Sequence, residues 1–365
     1  MSRAMAGRAK PFPAIALTLH LLSGAATLCR AADTVATVDT YGLNHVSRDT
    51  VLEAAGIRVG DPVPNADSIR RGVQKLEAVR GIEQASIAVI HVKSEGAKTE
   101  RLSQPVVYIG VREAGRPGVS FRAAPLADVV LPAEIVDTFH EFNRALQDSF
   151  RRGNFSEDDS QGYCLVGDEA ARALARRFVP LAERHYDRLI DVLHTAKDAE
   201  QRQIAAWVVG YAADKTKATA ELDAAVRDPD QRVRNNAMRA LGVILNYAAS
   251  HPELAIQAPI DSYLDLVEAL AWTDRNKAVM VLLGLSAAGN EALIARLRAR
   301  SLPALIEMAR WQTQGHAIMA FLLVGQIANL GETESLEAWI AGRREEVITR
   351  ALDTAGQQQP VGREN

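Results

Sequence analysis

Several short segments carry residue types that could do chemistry, and each lacks a partner that the chemistry requires. His140-Glu141-Phe142-Asn143-Arg144 starts like the helix of a zinc hydrolase. There a second histidine four residues on completes the metal-binding face, and Arg144 stands in its place. Glu157-Asp158-Asp159 could offer oxygens to calcium, but it has neither the alternating acids nor the central glycine of a calcium loop. It reads as a solvated loop. Cys164 lies among Tyr163, Leu165 and Val166 with no nearby histidine to take its proton, so it reads as a semi-buried thiol. Gly284-Leu285-Ser286-Ala287-Ala288 misses the closing glycine of a nucleophile elbow and falls within a helical pattern. No glycine-rich phosphate loop is present. Asn154-Phe155-Ser156 fits a glycosylation sequon, which matters only in a eukaryotic secretory pathway. The expectation is a chain that is not an enzyme, with no catalytic residues, no metal and no cofactor.

The elements around these segments point to binding surfaces instead. The chain has 365 residues, enough for two or three domains. With 48% hydrophobic and only 5% aromatic residues, it favours helices packed through Ala and Leu over an all-β fold. Residues 1–31 have a basic start (Arg3, Arg8, Lys10), a short apolar run (Ala14 to Leu22) and a small-residue stretch ending at Ala31. That is the layout of a cleaved secretory signal, and the run is too short to span a bilayer comfortably. A lipid anchor on Cys29 would need a small residue where Leu28 stands. Cleavage removes four basic residues and no acids, taking 42 basic against 45 acidic to 38 against 45, a net charge of −7. An acidic chain without a basic run offers nothing to nucleic acid. Cleavage also leaves Cys164 without a disulfide partner, and no later stretch is apolar enough for a transmembrane helix.

Residues 34–114 form a β-α-α-β-β pattern. Thr34 to Gly42 alternates as a strand, Ser47 caps a helix that Gly56 stops, and Gly60-Asp61-Pro62 turns the chain. Asp67 precedes a second helix with Ile69, Val73, Leu76 and Val79 on one side, ending at Gly81. In Ile82 to Val92, Ala85, Ile87, Val89 and His91 face one way, and Ser86, Ala88 and Ile90 the other. A polar loop, Glu95 to Ser103, leads into a last strand, Val106 to Glu113. This order resembles a POTRA domain. The resemblance rests on Val38 to Gly42, Gly60-Asp61, Leu76 to Gly81 and Val107 to Glu113. It implies a sheet edge that accepts strands from other proteins, because edge strands carry unpaired N–H and C=O groups. POTRA domains usually come in series or ahead of a β-barrel, and neither is present in this sequence.

Residues 115–195 read as a mostly helical connector. A proline-rich loop runs to Pro132, and a stripe of Ile135, Val136, Phe139, Phe142, Leu146 and Phe150 follows. Two further helical stretches are expected to break at Pro180.

Residues 196–355 repeat. Four helices align on Gly210, Gly242, Gly284 and Gly325, spaced 32, 42 and 41 residues apart. Each is followed by a second amphipathic stretch: 218–226, 260–271, 291–308 and 334–351. Small residues at fixed positions let helices approach closely, as a solenoid requires. Asp198, Arg202, Ala205 and Gly210 share their spacing with Asp230, Arg234, Ala237 and Gly242. This signature resembles a HEAT repeat. In the third repeat Asn276 takes the arginine's place, so the later repeats depart from the pattern. The resemblance implies protein binding along a concave face, for which Trp207, Tyr211, Tyr247, Tyr263, Trp272 and Trp311, with Trp339, are the candidate groove residues. Residues 356–365 read as a disordered tail.

The fold class expected is α+β, a small β-α-α-β-β domain followed by an all-α solenoid of HEAT-like helix pairs. The function expected is an exported, periplasmic or secreted scaffold that binds protein partners of the cell envelope, by strand addition and along the groove. The alternatives are a HEAT-like lyase or small-ligand carrier, and a purely structural envelope component.

Overall fold

The computed structural model describes residues 34–93, 103–152, 154, 156–286 and 289–357. The expected signal at 1–31, most of the loop at 95–103 and the tail beyond 357 lie outside the described residues. The chain is mixed α+β, with a small three-stranded sheet followed by many helices.

The first strand, β1, is Thr37–Tyr41, and helices α1 (Arg48–Ala55) and α2 (Ala66–Glu77) follow it. Ser47 caps α1 through its hydroxyl, and Gly56 ends it at φ 63°, a left-handed conformation that glycine takes without strain. Asn65, not Asp67, caps α2 and lengthens it by two residues at its start. Strands β2 (Ile82–Lys93) and β3 (Ser103–Glu113) complete a sheet of order β1-β3-β2. β1 runs parallel to β3 with Val38 beside Val107, and β2 runs antiparallel with Ala88 beside Tyr108.

β3 is a continuous apolar run because both of its faces are covered. Val107, Ile109 and Val111 pack under α1 and α2 with Val38, Val51 and Leu76. Val106 and Tyr108 face the other way, into the main helical core, together with Tyr41 and Ile90. A Cβ on Gly110 would sit 2.3 Å from the Tyr41 ring, so glycine is required where that ring crosses β3.

Beyond the sheet come α3 (Ala133–Arg151), a hairpin of β4 (Glu157–Asp158) and β5 (Leu165–Val166), α4 (Glu169–Arg184) and α5 (Tyr186–Thr195). Glu157 and Asp158 therefore form a short strand, where the sequence suggested a solvated loop. α4 also runs through Pro180 and ends at His185. An internal proline costs about 3 kcal/mol. Buried Phe178, Leu181 and Ala182 lie on both sides of it and hold the helix together.

The remaining helices are α6 (Ala199–Val209), α7 (Lys215–Ala225), α8 (Gln231–Ser250), α9 (Ile260–Leu266), α10 (Trp272–Ser286), α11 (Glu291–Arg300), α12 (Leu302–Ala309), α13 (Gln314–Ile327), α14 (Glu332–Ile340) and α15 (Arg344–Gln357). The four glycine-bearing helices pack in series: α6 on α8, α8 on α10 and α10 on α13, with α15 after them. Gly210 is needed for this approach, since a Cβ there would lie 2.8 Å from that of Ala240. α7, α9, α11 and α14 pack beside this row. Two of the expected second helices are each split, 291–308 at Ser301 and 334–351 after Ile340, and α15 reaches into the expected tail. Pro303 sits in the first turn of α12, where a missing N–H costs nothing, and starts a new helix there.

Candidate functional site

A ladder of buried arginines runs along the row of helices. Arg202 sets Nε and Nη2 each 2.9 Å from the two oxygens of Asp228, and Nη1 donates to the carbonyls of Ala196 and Lys197. Arg234 sets Nε and Nη2 3.0 and 2.6 Å from a single oxygen of Asp274, and Nη1 donates to the carbonyls of Asp228 and Pro229. In the third helix the rung is Arg275 and not Asn276. Arg275 donates to the carbonyls of Ala269 and Glu268 and to Glu307. The fixed quantity is the distance back to the carbonyl that ends the preceding turn, six residues in each case, and not the distance forward to the glycine. The later repeat therefore keeps its arginine, one residue earlier than the glycine alignment placed it.

The last rung also holds the small domain. The second oxygen of Glu307 accepts from the amides of Gly42 (2.7 Å) and Leu43 (3.2 Å). Nearby, Asp39 accepts from the amides of Gln312 and Thr313 and from the Thr313 hydroxyl. Burial pushes its carboxyl above the usual range, against those hydrogen bonds and the Arg48 charge. Tyr108 stacks on Trp272 at 5.0 Å, meets Trp311 at 4.9 Å and bonds His316 at 2.6 Å.

Trp272 and Trp311 are thus packed against the chain's own sheet. Tyr263 is fully buried, and Trp207 packs on Phe139 and Phe142. Tyr211 stacks on Tyr163 and donates to the Cys164 carbonyl at 2.8 Å. Of the candidate groove aromatics only Tyr247, stacked on His251, and Trp339, beside Phe321 and Arg344, are partly exposed. Ring type identified these residues in the sequence, but it does not separate a groove from a core.

The two outer strands of the sheet differ. β1 is tied at its start by backbone bonds of Val35 to Asp61 and Gly60, and Arg48 donates to the Val38 carbonyl. On its outer side β2 is bonded only near its start among the described residues, where the Ile82 amide donates to the Val79 carbonyl. The Ala85 amide donates to the Glu77 side chain, 3.2 Å away. Because directions alternate along a strand, Ile87, Val89 and His91 also turn their N–H groups outward.

A second polar region lies where the β4–β5 hairpin meets α6, α8 and α10. Arg239 places Nη2 2.5 Å from Glu157 and 3.0 Å from the Cys164 sulfur. Ligand atoms of Glu157, Asp159 and Cys164 lie within 4.8 Å of one another, but the Arg239 guanidinium already provides a cation there. Burial pushes the Cys164 thiol up to about 12, which favours its neutral form. Burial, with Glu157 second, pushes Asp159 up to about 6, and burial pushes Lys277 on α10 down to about 7. The sequence showed Glu157 and Cys164 as unrelated. No local signal links them to Arg239, 82 residues beyond Glu157.

Comparison of the chain with protein-family models and with curated proteins finds no match.

Proposed function

We propose that this chain is a non-enzymatic scaffold that binds a partner protein by strand addition along β2, working in the periplasm or outside the cell after an N-terminal signal is removed. The resemblance of residues 34–114 to a POTRA domain supports the mode, and the outer side of β2 beyond Ala85, where no backbone bond is made among the described residues, carries it. On this reading the helices form a solenoid of HEAT-like pairs whose job is to hold the small domain rigidly and present its free strand. The buried aromatics leave little support for binding along the groove, so β2 is the surface proposed.

The test is photo-crosslinking in cells from positions 84 and 91 on β2, with position 59 beside β1 as the control. Val59 is 63% exposed and outside any strand. Strand addition predicts repeated crosslinks from positions 84 and 91 to one envelope protein and none from 59. An exported, folded chain that captures no protein from β2 overturns the proposal.

A further inference from the structure

The Glu77 carboxylate stands where an added strand would place a backbone carbonyl. Its oxygen lies 3.2 Å from the Ala85 amide, on the margin of β2 away from β3. The outward direction recurs at every second residue from Ala85. Pro105, which has no N–H to give, lies opposite His91, as a pair without mutual hydrogen bonds allows. In the row Ala85, Ile87, Val89 and His91, only the Ala85 amide is met by another group of the chain among the described residues. Glu77 is also the last residue of α2, and the negative end of the helix macrodipole opposes an acid there. Its side chain is exposed, so the core does not call for it, and the bond to Ala85 offsets that cost.

α2 crosses β2 near Gly72, where a Cβ would sit 2.8 Å from the Ile87 side chain. Arg70, Val73 and Gln74 lie seven, four and three residues before Glu77, on the same side of the helix. A strand lying beside β2 thus has Glu77 at one end and this row over one of its faces. Given strand addition along β2, on which this inference rests, we propose that Glu77 is a stop that sets the register of the added strand. The occupant is an extended segment of a partner protein that pairs from Ile87 to His91, five positions of β2. Its residues that bond Ile87, Val89 and His91 use their own N–H groups, so none of them is proline. Beyond Ile87, its next carbonyl would meet a carboxylate already bonded to the Ala85 amide, and the two oxygens repel. A slip of one residue turns every side chain of a strand to the other face. A fixed end therefore decides which of the partner's side chains lie under Arg70, Val73 and Gln74, and so which partner sequences fit.

The experiment is photo-crosslinking in cells from positions 84 and 91 of the full chain, with Glu77 intact, as Glu77→Ala and as Glu77→Gln. Both variants change an exposed side chain, so the fold is kept. Position 84 lies beside the stop, and position 91 lies at the far end of the paired tract. Without the stop the strand runs on, so Glu77→Ala should raise crosslinks from 84 at least about threefold relative to those from 91. Glu77→Gln keeps an acceptor oxygen for the Ala85 amide and should hold the parent ratio to within about a factor of two. In the purified chain, hydrogen exchange should quicken in Glu77→Ala at the Ala85 amide and not at Ile87. Crosslinks from 91 with an unchanged ratio in Glu77→Ala, or unchanged exchange at Ala85, overturn the stop and leave strand addition standing. No crosslink from either position in the intact chain overturns strand addition, and the stop with it.

Discussion

β1 and β2 are the two outer strands of one three-stranded sheet, and they are treated in opposite ways. β1 is held at its start by Asp61, along its length by Arg48 and the backbone of Gln312 and Thr313, and at its end by Glu307. β2 has twelve residues and, beyond the outer bonds of Ile82 and Ala85 near its start, is held by β3 alone. A small module fastened along a single margin keeps its orientation while its other margin stays open. An edge left bare throughout a fold is a liability for aggregation. Here the fastening is selective, as the proposed strand addition would need.

The comparison can be broken most severely at the fastened side. Tyr108→Ala removes a fully buried ring that touches Trp272, Trp311 and His316. Chemical denaturation should show a loss of about 3–5 kcal/mol. A loss under about 1 kcal/mol would mean that the seam does not hold the sheet.

Glu113 should come next. Burial tends to raise its pKa, but the amides of Asn44, Val46 and His45 outweigh that and hold it at about 2, from 4.5. A depressed acid stabilises the fold above its unfolded pKa, and that stability is lost as pH falls from about 4.5 towards 2. The shift corresponds to about 3 kcal/mol at neutral pH. Glu113→Gln should lose most of it at pH 7 and match the parent near pH 2. Parallel stability curves at the two pH values would contradict this.

Glu307→Gln should be milder, about 2 kcal/mol, since it removes charge-assisted bonds to Gly42, Leu43 and Arg275 but keeps an acceptor. Hydrogen exchange should quicken at the β1 end and not along β2. The smallest effect on stability belongs to the open margin. His91→Pro deletes an outward N–H of β2 and should change stability by under about 1 kcal/mol, while β2 crosslinks fall several-fold. A large loss of stability would mean that this N–H is already used within the chain.

Much of the fold was legible where the signal is local. Ser47 and Gly56 mark α1, alternation marks β2, and the four glycines select the helices that pack in series. The misses are long-range. Pro180 sits inside α4 because buried neighbours outweigh its cost, and Arg275 holds its rung because distant carbonyls set the register. Trp272 and Trp311 looked like groove residues because nothing local announces that Tyr41 and Tyr108 cover them. The same limit hid the cluster of Glu157, Cys164 and Arg239, which only the β4–β5 hairpin brings together.

The arginine ladder also determines where this chain can change length. One residue inserted between Asp228 and Arg234 would turn α8 by about 100° and swing Arg234 away from Asp274. The turn at 251–259, with exposed Glu253, Ala255 and Gln257, carries no rung, so an added residue there leaves every rung in phase. Spacings of 32, 42 and 41 residues between the glycines are what such a rule permits. On this rule an insertion in an outer turn leaves the inner row of helices at its pitch, and one inside a rung does not.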